Sequence, residues 1–129
     1  MLYILIAGSR DFNDYETMCC IMNRIVCSEK EITIVSGGAR GADRLAEKYA
    51  KENGFNLKVF PAQWDKYRKS AGYRRNEEMQ KFIANQTRRR IICFWDGQSK
   101  GTAHNFSVAK KYNNTLTVYN YKEKKFVKP

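Results

Sequence analysis

The chain has 129 residues, 43% hydrophobic and 29% charged, and its 24 Lys and Arg against 13 Asp and Glu give a formal net charge of +11 at pH 7. That length suits one domain whose core needs neither disulfides nor metals, and no apolar run approaches the span of a membrane. The four cysteines, Cys19, Cys20, Cys27 and Cys93, form no Cys-x-x-Cys pair and lie away from the single histidine, His104, which argues against a disulfide framework or a metal site and reads as reduced thiols in a cytoplasmic protein.

The first seven residues are too short and lack the basic leader of a signal peptide, so they read as a strand. Tyr3-Ile4-Leu5-Ile6-Ala7-Gly8 is apolar on both faces and suits a central parallel strand. Gly8-Ser9-Arg10-Asp11 follows at its carboxyl end, where open α/β sheets bind ligands. Gly8 allows close approach, Ser9 offers a hydroxyl and Arg10 a cation. The competing reading is a plain loop with a surface arginine. Asn13 with Glu16 predicts a capping box, and Met18, Ile21, Met22 and Ile25 then share one helical face.

A second strand, Ile32–Val35, runs into Ser36-Gly37-Gly38-Ala39-Arg40-Gly41-Ala42-Asp43, and a helix follows. Gly37, Gly38 and Gly41 remove Cβ atoms where the backbone would approach a ligand. The helix start favours an anion such as phosphate, and Arg40 can clamp the same group. Asp43 either caps the helix or contacts the ligand. The spacing matches neither a dinucleotide fingerprint nor a P-loop, and a tight turn that only packs is the alternative. Ala42, Leu45, Ala46, Tyr49 and Ala50 form the inward stripe, with Asn53-Gly54 as the helix end.

A third strand, Leu57–Phe60, stops at Pro61, and residues 62–72 show no clean period. Loops of that length often carry function. Trp64 and Tyr67 offer a flat wall for a base or simply pack the loop down. Tyr73 to Met79 opens a third helix with Met79, Phe82 and Ile83 inward. Arg74 and Arg75 in its first turn oppose the helix dipole and call for a compensating anion, a ligand or Glu77 and Glu78.

The fourth strand, Ile91–Trp95, is followed by Asp96-Gly97-Gln98-Ser99-Lys100-Gly101-Thr102 and a helix predicted to turn Ala103, Phe106 and Ala109 inward. Thr102 either caps that helix or donates to a phosphate. His104 reads as a half-packed imidazole rather than a catalytic one. Leu116–Tyr119 is a fifth strand, and residues 120–129 read as a loosely held basic tail on a domain of residues 1–119. The order βαβαβαβαβ predicts an α/β three-layer sandwich with a parallel five-stranded sheet. Strand order 3-2-1-4-5 would gather the loops after strands 1, 2 and 4 at the switch point.

Gly8-Ser9-Arg10-Asp11-Phe12, Ser36 to Asp43, Arg75-Asn76-Glu77-Glu78-Met79 and Trp95 to Thr102 occur in that order. Together they resemble the SLOG superfamily, specifically its small YspA-like branch of bacteria and their phages, from about residue 3 to about residue 110. The resemblance implies a Rossmann-like fold and a nucleotide or nucleotide-derived ligand; no cofactor is expected. Arg75 looks like the arginine with which the LOG phosphoribohydrolases work on their nucleotide, and Gly101-Thr102 match their glycine segment. Asn105 stands where those enzymes carry a catalytic glutamate. An asparagine cannot act as a carboxylate base, so an enzyme reading has to use Arg75 with Glu78, or else Glu77 or Asp96.

The leading reading is therefore a nucleotide-binding or nucleotide-sensing protein. Gly8, Ser9, Arg10, Gly37, Gly38, Arg40, Gly41, Gly101 and Thr102 would hold phosphate or ribose, Arg75 would add charge, and Asp43 or Asp96 would take a sugar hydroxyl. The glycine turn also resembles that of the DNA-processing protein DprA. The positive charge would give weak, salt-sensitive nucleic-acid binding through Arg88, Arg89, Arg90 and the tail, but Trp64, Tyr67 and Tyr73 are few aromatics for a single-stranded DNA platform. No membrane partner is expected, and a homo-oligomer is left open.

Overall fold

Leu2–Gly8 forms β1, and Ile4, Leu5, Ile6 and Ala7 along it are buried. A strand apolar on both faces requires a covering layer on each side. The computed structural model describes residues 1–129 and supplies both layers. After β1 come α1 (Tyr15–Val26), β2 (Ile32–Ser36), α2 (Ala42–Glu52), β3 (Asn56–Val59), the short α3 (Trp64–Tyr67) and a 3-10 turn (Arg68–Ser70). The chain continues with α4 (Ala71–Ala84), β4 (Arg89–Trp95), α5 (Lys100–Lys111), β5 (Thr117–Asn120) and β6 (Lys125–Val127).

Side-chain alternation sorts the core onto two faces. Ile4, Ile6, Ile34, Ile92 and Phe94 meet Met18, Met22, Ala46 and Tyr49 of α1 and α2. Leu5, Ala7, Val35, Ile91 and Cys93 meet Met79 and Ile83 of α4, with Phe106 of α5 packed against them. No helix is long and apolar enough to cross a membrane.

The sheet order is β3-β2-β1-β4-β5-β6, and β1, β2, β3, β4 and β5 run parallel to one another. The expected order of five is present, but the sheet is mixed and six-stranded. Residues expected to form a loose tail turn back as β6, antiparallel to β5, in register Val118↔Val127 and Asn120↔Lys125. Asn120 Oδ1 accepts the amides of Lys122 and Glu123 and closes the turn, and Phe126 meets Tyr119 across the strands at 5.1 Å. The lysines hide this hairpin in the sequence by interrupting the alternation. Deleting residues 122–129 is expected to lower stability by about 1–2 kcal/mol, the worth of an aromatic cross-strand pair and a few ladder bonds. The urea midpoint measures it, and an unchanged midpoint would restore the loose tail.

Three local expectations shift. Asp14, not Asn13, caps α1 by accepting the Thr17 amide at 3.1 Å. Helix α4 starts at Ala71, so Arg74 closes its first turn and Arg75 begins the second. The buried face of α5 is Thr102, Asn105, Val108 and Ala109, one residue out of phase with the predicted one. Its centre is polar because it faces a cavity rather than the core.

Candidate functional site

Three loops converge on Ser9. Its amide donates to Phe94 O, its carbonyl accepts the Ala42 amide at 3.3 Å, and its hydroxyl accepts the Asp96 amide at 3.2 Å and the Ser99 hydroxyl at 3.0 Å. The carboxyl ends of β1, β2 and β4 are thereby tied together. Such close approach requires glycine: a Cβ on Gly8 would lie 2.3 Å from Phe94 O and 2.7 Å from Ala42 Cβ.

Above this junction lies a cavity of about 430 Å³. Gly8, Ser9, Arg10, Arg40, Asp43, Arg75, Gly101 and Thr102 line it, as does Asn105. Gly37 and Gly38 line an adjoining hollow that shares Arg10, Arg40, Trp64 and Arg75 with it. Gly41, Asp96 and Glu78 line neither. Gly41 serves loop packing. Asp96 spends its carboxylate on the amides of Gln98 and Ser99 and on the Ser99 hydroxyl. Burial opposes its ionisation, yet these bonds outweigh it and hold its pKa below the usual carboxylate range. Glu78 is exposed on α4, and Glu77 faces Lys111 and Tyr112 instead. The helical phase of α4 sends Arg75 and Met79 to the cavity and both glutamates elsewhere.

Asp43 is 5% exposed and accepts the Ala39 amide at 3.1 Å. Burial pushes its pKa up to about 6, against the downward pull of Arg75, the Ala39 amide and Arg10, with Glu47 adding to the rise. Arg75 donates from Nη1 to Gly37 O at 2.6 Å and from Nε to Asn76 Oδ1 at 3.1 Å. Burial lowers its pKa, Asp43 opposes that, and it remains a cation. The two side chains flank Gly37, each with an atom 2.9 Å from where its Cβ would stand.

A carboxyl that ionises near pH 6 when folded, against 3.8 ordinarily, makes stability fall as pH rises between those values. In that window the native state keeps a proton that the unfolded chain has released. The loss is roughly 3 kcal/mol and then stays constant above pH 6. Asp43→Asn is expected to flatten this part of the curve, read as the difference in urea midpoints from wild type between about pH 4 and about pH 8. A parallel pair of curves would show that Asp43 titrates normally.

The cavity is electropositive: Arg10, Arg40, Lys69, Arg75 and Lys100 face two acids, Asp11 and Asp43. Arg40 approaches Asp11 only at 3.9 Å, with both side chains largely exposed, a contact of little energy. Lys69 and Lys100 look like solvated surface charges in the sequence, and only the convergence of loops brings them here. The aromatic wall is Trp64 with Tyr73, each about half exposed at the mouth. Tyr67 is instead covered by the Arg74 guanidinium at 4.3 Å, so Arg74 also turns away. Tyr73 packs against His104 with ring centroids 4.3 Å apart and the planes tilted by 31°. Burial holds the His104 pKa down, partly offset by Glu77, which suits a neutral ring accepting at Nδ1 from Asn76 Nδ2, 3.2 Å away.

The amides of the two helix starts differ. Around the glycine turn, the Gly38 and Ala39 amides are already taken by Ser36 Oγ and Asp43 Oδ2. At α5, Lys100, Gly101 and Thr102 line the cavity with first-turn amides that no helical carbonyl can reach.

Residues 2–67 match the family described as "YspA, cpYpsA-related SLOG family". The chain is 33% identical to the Gene 61 protein of Mycobacterium phage D29 over 130 aligned positions, covering 96% of this chain and 99% of that protein. Among solved structures it is similar to a predicted subunit of tRNA methyltransferase from Methanocaldococcus jannaschii, at a TM-score of 0.45 and 13% identity, covering 95% of this chain and 71% of that one. By the profile over its first half and the phage relative over nearly its whole length, the chain belongs to the YspA, cpYpsA-related SLOG family.

Proposed function

We propose that the cavity binds a nucleotide or nucleotide derivative, its phosphate at the start of α5 and its base against Trp64 and Tyr73. The observation that carries this reading is the excess of five basic over two acidic side chains around a cavity at the switch point of the sheet. The free first-turn amides of α5, the Thr102 hydroxyl and Lys100 suit phosphate. Arg10 and Arg75 add charge to the same cavity. The half-exposed Trp64 and Tyr73 supply the only flat apolar surface at the mouth.

Thermal-shift and calorimetric titrations with AMP, ADP-ribose and adenosine test it. AMP and ADP-ribose should raise the melting temperature and adenosine should not, because the phosphate supplies the charge contact. No shift with any nucleotide at millimolar concentration would refute the reading.

Hydrolysis of an N-glycosidic bond is the second reading, and one observation favours it. Asp43 is a buried cavity carboxyl with a pKa near 6, suited to general acid–base chemistry. Glu78 lies outside the cavity and Asn105 is neutral, so Arg75 and Asp43 would carry that reaction. Release of adenine from AMP by wild type and not by Asp43→Asn would establish it, and intact AMP after prolonged incubation would remove it.

A further inference from the structure

Asn105 is 3% exposed and lines the cavity, one helical turn beyond Thr102 on the same face of α5. The two ends of a side-chain amide look alike in shape, and only the surrounding network tells donor from acceptor. Here the network starts at a group that can only donate. Arg89 Nε donates to Asn114 Oδ1 at 3.2 Å. Asn114 Nδ2 is therefore the free end, and it donates to Gln80 Oε1 and to the Gln80 carbonyl, both at 3.0 Å. Gln80 Nε2 must then donate, and it reaches Asn105 Oδ1 at 3.3 Å. Gln80 is wholly buried and Asn114 nearly so, which leaves neither amide water to exchange with.

The consequence falls on the remaining atom. Asn105 Nδ2 has no partner in the protein, and Tyr121 Oη is the one sealed polar side-chain atom without a partner. Asn105 Nδ2 is therefore open, and the cavity is what it opens to. With Oδ1 held by Gln80 and the residue 3% exposed, this N–H faces the cavity as a fixed donor, and an acceptor placed there by a ligand is the partner it fits.

Resting on the nucleotide-binding reading, we infer that Asn105 is a ligand-binding residue that donates from Nδ2 to an acceptor oxygen of the bound phosphoribosyl group. Arg89, Asn114 and Gln80 are positioning residues that hold this donor in place. The relay selects an acceptor at this point of the cavity and rejects a ligand that presents an N–H there. A carboxylate at the same position would carry the opposite preference.

Asn105→Asp keeps the shape and the bond from Gln80 while replacing the donor by a negative oxygen. It is expected to weaken AMP binding by at least about 100-fold, and Asn105→Ala by about tenfold. Inorganic phosphate distinguishes which oxygen is met: a loss shared by AMP and phosphate assigns a phosphate oxygen, and a loss confined to AMP assigns a ribose oxygen, either of which supports the inference. In ¹⁵N-¹H spectra of the full chain, the Asn105 side-chain pair, identified by its disappearance in Asn105→Asp, should move on adding AMP while the Asn114 pair stays in place. Arg89→Met should weaken AMP binding and broaden the Asn105 pair, and Arg89→Lys should restore both. AMP binding by wild type that is unchanged in both Asn105 variants, with an unmoved Asn105 pair, would overturn this inference alone. No AMP binding by folded wild type would overturn the nucleotide reading and this inference with it.

Discussion

Gly41→Ala is expected to cost about 4 kcal/mol of folding stability. Two penalties of about 1–3 kcal/mol each combine there, one from the backbone and one from packing. Gly41 has φ 80° and ψ −129°, a region open almost solely to glycine. A Cβ would stand 2.4 Å from Ser9 O and 2.5 Å from Arg10 C and O, all backbone atoms of the loop that closes the cavity floor. Neither penalty can relax by a rotamer change, since the obstruction is main chain tied to β4 through Ser9. Two controls separate the causes. Gly54, at φ 69° with nothing within 4 Å, should lose about 1 kcal/mol on changing to alanine, from backbone strain alone. Gly101, helical and with open space around it, should gain up to about 1 kcal/mol. Urea denaturation of the three variants gives the ranking, and a Gly41 variant no weaker than the Gly54 one would show that the loops do not meet as described.

Arg75→Ala is expected to weaken AMP binding by about 100-fold, at the strong end of what one charge-assisted contact is worth. Its guanidinium holds the Gly37 carbonyl and Asn76 and still faces the cavity. Arg75→Lys should recover only part of the loss, because an ammonium cannot span both acceptors in the plane of the fork. The same variant carries a second readout. Arg75 is the strongest influence lowering the Asp43 pKa, so its removal should move the Asp43 titration upward from about 6, followed by carboxyl ¹³C shifts. An unmoved titration would mean that the two groups do not sense each other across Gly37.

Much of the scaffold is legible in the chain. Ile4 to Ala7 and Ile91 to Phe94 are apolar without alternation, and both became central strands. The switch-point rule then places Gly8, Ser9, Arg10, Arg40, Asp43 and Gly101 around one cavity. Other assignments could not be made from pattern. Asp96 looked like a free carboxylate because its acceptors are its own neighbours' amides, a matter of turn geometry. Gly41 looked like a ligand glycine because close approach to a ligand and close approach to Ser9 demand the same missing Cβ. Glu78 and the face of α5 depended on helical phase, since successive residues point about 100° apart around the helix axis.

What the sequence by itself determined is the alternation of elements, the parallel core, the order of its first five strands and the family to which the chain belongs, because these rest on local periodicity, on chain connectivity and on short motifs. The tertiary structure alone decided the sixth strand, the arrival of Lys69 and Lys100 at the cavity, the raised pKa of Asp43 and the direction of the Asn105 amide. Each of these arises from groups far apart in the chain that meet only when the sheet closes: Arg89, Asn114, Gln80 and Asn105 come from β4, the β5 approach, α4 and α5. Hydrogen-bond direction and desolvation depend on which atoms lie within a few ångströms, and no spacing along the chain encodes that.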